Sequence, residues 1–213
     1  MTQVRVLLAD DHKLVAEGLR SLLEPEFSVI GAVEDGRALV AAAMEHQPDI
    51  IVADISMPLL NGIEAVRQLK DAGCTARVVF LTMHPDVAYA ARAFEAGASG
   101  YVLKHAAPSE LLDAIREALQ GRTYVTPMIA RALAELYADG AGAEHDPVRR
   151  LTPRQVEVLQ LLVEGRSAKE AAAVLKISSR TVEFHKYKMM EELGLGTSAE
   201  LVHFAVKHGI VST

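Results

Sequence analysis

The sequence predicts an α/β unit built on a parallel sheet, followed by a small all-α unit. Three observations carry this. Short apolar runs rich in β-branched residues, VRVLLA, DIIVA, RVVFLT and GYVLK, alternate with amphipathic helical stretches over the first 121 residues. Residues 122 to 148 then lose that alternation. From residue 149 the T/S-x-x-E/Q spacing of helix starts recurs three times without a strand pattern between.

Taken in order, the apolar runs are the first, third, fourth and fifth strands of the sheet. Parallel sheets bind ligands at the carboxyl ends of their strands, so residues closing these runs converge. Asp10 and Asp11 follow the first run, Asp54 the third, while Thr82 and Lys104 close the fourth and fifth. Read singly, adjacent aspartates after a strand also cap a helix, and a lysine at a strand end is also merely solvated. As an ordered set they describe an aspartyl-phosphate site that uses Mg²⁺. Mg²⁺ takes hard oxygen ligands from a few carboxylates, phosphate and water, and Asp10, Asp11 and Asp54 supply the carboxylates. Asp54 is the candidate nucleophile, Lys104 balances the incoming charge, and Thr82 offers a hydroxyl to the phosphoryl oxygens.

In the linker, Thr126 and Pro127 read as an N-cap and first helical residue, with Ile129, Leu133 and Leu136 on one stripe of a short helix. DGAGAEHDP then reads as a flexible connection. Beyond it, Thr152 with Gln155, Ser167 with Glu170, and Thr197 with Glu200 mark helix starts, and Gly165 and Gly194 mark stops. Residues 167 to 194 form helix, short turn around Ile177 and Ser178, then a longer helix: a helix-turn-helix. Val182, His185 and Met189 face its core, which turns Arg180, Glu183, Phe184, Tyr187 and Lys188 outward. Glu183 suits cytosine N4, Lys188 suits guanine, and Phe184 or Tyr187 suits a thymine methyl. Lys169, Arg180 and Lys186 suit phosphates, with Thr181 beside them.

Charge and composition agree. The net charge of -6 hides an asymmetry: residues 1–121 carry 10 Lys or Arg against 17 Asp or Glu, and residues 147–213 carry 10 against 7. A mildly basic tail is compatible with nucleic-acid binding. No run of about 18 apolar residues predicts a membrane span and no signal-peptide core is present, so the expected location is cytoplasmic. The single Cys74 excludes an internal disulfide and is expected in a turn between helix and strand.

The segments VLLADDHKLVAEGL, DIIVADISMPLLNGIEAV, VVFLTMH and AFEAGASGYVLK resemble the receiver domain of bacterial response regulators of the NarL/FixJ group. LTPRQVEVLQLLVEGRSAKEAAAVL and ISSRTVEFHKYKMMEELGL resemble the LuxR-type DNA-binding domain. The resemblance implies a flavodoxin-like sheet of five parallel strands in order 2-1-3-4-5 over residues 1–121, a linker over 122–148 and a four-helix DNA-binding domain over 149–213. It implies a transcriptional regulator phosphorylated on Asp54 by a sensor histidine kinase, with Tyr101 and Thr82 coupling the phosphoryl group to the opposite surface. The implied partners are that kinase, double-stranded promoter DNA, RNA polymerase and, when phosphorylated, a second copy paired through Leu201, Phe204, Ala205 and His208. Self-catalysed transfer to Asp54 is the only chemistry expected, with no enzymatic output domain. The unphosphorylated receiver is expected to mask the DNA-binding domain or its dimer surface. The alternative is a phosphorylation-independent regulator or a protein-interaction module using the same surfaces.

Three departures stand out. Gln155 and Glu192 replace the family's more usual Glu and Lys, and Glu192 puts a negative charge where a phosphate contact is expected. Met83 replaces a small residue after Thr82 and is expected to shield the phosphoryl group, while Ser56 and His84 are expected to tune its lifetime.

Overall fold

The structure, a computed structural model, describes residues 3–106, 108–138 and 146–211. Strands β1 (Arg5–Ala9), β2 (Ser28–Val33), β3 (Ile50–Ala53), β4 (Arg77–Thr82) and β5 (Gly100–Leu103) alternate with helices α1 (Lys13–Leu23), α2 (Gly36–His46), α3 (Gly62–Asp71), α4 (Val87–Glu95) and α5 (Pro108–Leu119). All strand pairs are parallel. Side chains alternate across the sheet, as strand geometry requires. Val6 and Leu8 pack with Leu23 of α1 and Leu111 and Ile115 of α5, while Leu7 and Ile51 pack with Leu39, Val66 and Ala90 of α2, α3 and α4.

A sixth strand corrects the expected count. β6 (Tyr124–Val125) pairs with β5, extending the order to β2-β1-β3-β4-β5-β6. Two residues are too few to show periodicity, so nothing in the sequence separates them from the linker. Helix α6 (Pro127–Ala138) follows, and its Ile129 and Leu133 are buried in the same core as α4, with Leu136 against them. The linker helix therefore packs as part of the α/β unit. Thr126 serves the sheet: its hydroxyl accepts the Leu103 amide at 3.3 Å. Residues 139–145 of the expected flexible connection lie outside the described residues.

After a 3-10 turn at Pro147–Arg150 come four helices, α7 (Pro153–Val163), α8 (Ala168–Leu175), α9 (Ser179–Leu193) and α10 (Ser198–Lys207). All three capping boxes form, at Thr152/Gln155, Ser167/Glu170 and Thr197/Glu200. Val158, Leu159, Leu161, Val182, Met189, Leu201 and Ala205 make the core. No helix among the described residues is long and apolar enough to cross a membrane.

The two units touch. Gln160 of α7 donates from Nε2 to the Met57 carbonyl at 2.8 Å and accepts the Asn61 amide at 2.7 Å, while Glu164 accepts the Leu59 amide at 3.0 Å. Arg37 of α2 pairs with Glu157 at 2.7 Å. At the other end Arg92 of α4 donates to the His208 carbonyl at 2.8 Å.

Candidate phosphoacceptor site and DNA-reading helix

The carboxyl edge of the sheet gathers the predicted set. Lys104 Nζ lies 2.7 Å from Asp54 Oδ2 and 2.7 Å from Asp10 Oδ2. Asp10, Asp54 and Thr82 are buried. Burial alone lowers the Lys104 pKa, but the Asp54 charge and the hydrogen bonds to Asp10 and Asp54 outweigh it, and the net shift is upward. One ligand atom from each of Asp10, Asp11, His12 and Asp54 lies within 4.8 Å of the others. Three carboxylates at that spacing, two of them against Lys104, make a donor set that fits a hard divalent cation. His12 was not singled out in the sequence. Its Nδ1 sits 2.8 Å from Asp11 Oδ1 and its amide donates to Asp10 Oδ1 at 2.9 Å, and its only sequence signal is adjacency to the acidic pair.

The loop after β4 links Thr82 to Tyr101. Thr82 Oγ1 accepts the His84 amide at 3.3 Å, and Tyr101, fully buried, donates its hydroxyl to the His84 carbonyl at 2.8 Å. Burial pushes the Tyr101 phenol pKa far up, keeping it a donor. Ser56 Oγ and His84 Nε2 are 2.6 Å apart, and the His84 ring stacks on Tyr89 at 4.3 Å. Burial lowers the His84 pKa, which favours the neutral ring. Met83 is 61 % exposed, so a shielding role requires it to fold back over Asp54.

In the second unit, α9 is capped by Ser178, whose hydroxyl accepts the Thr181 amide at 3.1 Å and meets Thr181 Oγ1 at 2.8 Å. Phe184 is 60 % and Tyr187 66 % exposed, with Arg180 and Lys188 exposed beside them and Glu183 and Lys186 half-buried. Lys169 is exposed on α8. Val182 and Met189 are buried, and His185 is half-buried with its pKa lowered by burial and by Arg154 and Lys188. The reading face is therefore open in this arrangement. Docking covers part of α7 and the C-terminal end of α10, so the receiver masks part of the second unit while the outer face of α9 stays exposed.

Glu192 is exposed on α9 and accepts from Gln155 Nε2 at 2.8 Å. The stripe assigned to dimer pairing is the inner face of α10: Leu201, Phe204 and Ala205 are buried in the bundle core and His208 is half-buried against Phe204. Apolar periodicity marks a buried face without saying which partner buries it. Val202, His203 and Lys207 lie on the exposed side of α10.

Comparison with known proteins agrees with this architecture. Residues 6–116 match the response regulator receiver domain, and residues 149–205 match the bacterial regulatory proteins of the luxR family. The chain is 33 % identical to the oxygen regulatory protein NreC of Staphylococcus carnosus over 96 % of this chain and 97 % of that protein. It is 32 % identical to the response regulator UvrY of Escherichia coli K12, covering 97 % and 95 %. Among solved structures, RcsB from Salmonella enterica serovar Typhimurium, bound to the promoter P1flhDC in the presence of the phosphomimetic BeF3-, superimposes with a TM-score of 0.66 at 28 % identity, covering 97 % of this chain and 100 % of that one. With a receiver domain at one end and a luxR-family helix-turn-helix at the other, the chain belongs to the NarL/FixJ family of response regulators.

Proposed function

We propose that Asp54 accepts a phosphoryl group from a sensor histidine kinase and that this controls binding of α9 to promoter DNA. The observation that carries the reading is Lys104 bridging Asp10 and Asp54 at the sheet edge, in the same chain as an exposed reading helix. In the transfer, an Asp54 carboxylate oxygen bonds to phosphorus as the P–N bond of a phosphohistidine breaks. The leaving imidazole keeps that bonding pair and is protonated. Asp10, Asp11 and Asp54 would hold Mg²⁺, which when bound neutralises charge on the phosphoryl oxygens. Lys104 supplies a fixed positive charge to the same oxygens, and Thr82 turns its hydroxyl toward them. The chain's own chemistry ends with that self-catalysed transfer.

Coupling runs through the loop following Asp54, whose residues 57, 59 and 61 are held by α7. Phosphorylation that shifts this loop loosens α7 and frees the DNA-binding unit to pair with a second copy on inverted half-sites about one DNA turn apart. Moving the population from 1:99 to 99:1 takes roughly 5.5 kcal/mol of differential stabilisation.

The test is sequencing of genomic fragments retained by purified protein at fixed salt and Mg²⁺, with and without beryllofluoride. An inverted-repeat motif enriched only with the mimic, and lost in Asp54→Ala, is the expected result. Equal enrichment in both conditions would mark a constitutive binder, and none in either would favour a protein-interaction module.

A further inference from the structure

The reading helix breaks two local rules at its C-terminal end. Glu191 and Glu192 place carboxylates beside the negative end of the α9 dipole. Lys188 precedes Glu192 by four residues, the less favourable order for a helical ion pair. Local preferences broken at an otherwise consistent site point to a requirement elsewhere.

Gln155 shows what holds Glu192 in place. It is 1 % exposed, and both ends of its amide are used. Oε1 accepts the Thr152 amide at 2.7 Å, completing the cap of α7, and Nε2 donates to Glu192 Oε2 at 2.8 Å. The amide therefore cannot turn without breaking the capping box. The other carboxylate oxygen, Glu192 Oε1, lies 3.8 Å from Lys188 Nζ, and Lys188 stands exposed next to Tyr187 on the reading face.

We propose that Gln155 and Glu192 are positioning residues for sequence-selective DNA reading, acting through Lys188. A free lysine is a mobile point charge that reaches any phosphate within its sweep. Held by a carboxylate that is itself anchored to α7, Lys188 stays along the reading face, and each excursion to the backbone costs it the ion pair. The result is weaker binding to arbitrary sequence and greater preference for a correctly placed guanine, whose O6 and N7 offer two acceptors. The replacement of the family's usual pair thus trades phosphate contact for discrimination. The inference rests on α9 being the DNA-reading helix.

The experiment compares the full-length protein, with Mg²⁺ and beryllofluoride at fixed salt, on the duplex that wild type selects from genomic fragments and on a shuffled duplex. Glu192→Gln keeps an acceptor for Gln155 but removes the charge beside Lys188. It is expected to bind the shuffled duplex about threefold more tightly and so to lose about threefold in the ratio of selected to shuffled affinity. Glu191→Gln makes the same charge change one residue away and is expected to leave the ratio as in wild type. Lys188→Ala should abolish the effect of Glu192→Gln. A wild-type ratio in Glu192→Gln, or an equal loss in Glu191→Gln, overturns the proposal while leaving the DNA-reading role of α9 intact. If wild type itself does not discriminate between the duplexes, that reading fails and this inference with it.

Discussion

Lys104 is the residue on which the phosphoacceptor site balances. It is the ammonium within 2.7 Å of both Asp10 and Asp54, its side chain 11 % exposed. Lys104→Met leaves two close carboxylates without that partner, a change of the kind that costs about 3 kcal/mol when one half of a buried ion pair is removed. A divalent cation bound by the same carboxylates would offset part of this, because binding to the folded state alone stabilises it. Urea unfolding of Lys104→Met should therefore show a midpoint that falls in chelator and recovers in Mg²⁺ more than wild type does. No Mg²⁺ response in either protein would remove the metal from the site. The Lys104 assignment was legible because residue type and strand end coincide. Gln160 was not: a glutamine on an apolar helix carries no signal until the loop it binds is in place.

At the scale of elements, the sequence announced what is periodic or capped and concealed what depends on contact. Three capping boxes and the αL glycine that ends α9 sit where spacing placed them. β6 escaped because two residues have no period, and the α10 stripe was assigned outward because periodicity is silent about the partner. Helix α3 shows contact dictating sequence. Asn61 caps the Glu64 amide at 3.0 Å, and Gly62 opens the helix because a Cβ there would fall 2.1 Å from the Asp54 carbonyl oxygen. Gly62→Ala must push α3 away from the phosphoacceptor, at a cost of about 3 kcal/mol for overpacking. Its phosphorylation by a small phosphodonor, followed by mobility shift on a phosphate-affinity gel, should slow along with the loss of stability. Full-rate phosphorylation in a destabilised protein would mean that α3 yields without moving Asp54.

For the whole molecule, the decisive contact is where the turn after α10 meets the receiver. Gly209 adopts φ +62°, and a Cβ built there would lie 1.1 Å from the Tyr89 hydroxyl oxygen. Tyr89 in turn stacks on His84, the residue whose amide and carbonyl engage Thr82 and Tyr101. A side chain at position 209 therefore forces Tyr89 or the turn to shift, whatever the state of Asp54. Gly209→Asn separates this clash from backbone strain, since asparagine tolerates the left-handed region better than other residues with a side chain. The remaining docking contacts are mostly hydrogen bonds and ion pairs, such as those of Gln160 and Arg37, each worth only about 1 kcal/mol once exchanged with water. Losing the Tyr89 contact should thus shift the population toward the open form. Small-angle scattering of Gly209→Asn without beryllofluoride should show an increased radius of gyration, and its DNA binding should depend less on the mimic than that of wild type. A compact Gly209→Asn protein with full dependence on the mimic would mean that the turn repacks, and that the Gln160 contacts with the loop after Asp54 hold the closed form alone. An expanded protein with full dependence would separate docking from control of DNA binding and place the switch in pairing of the two copies.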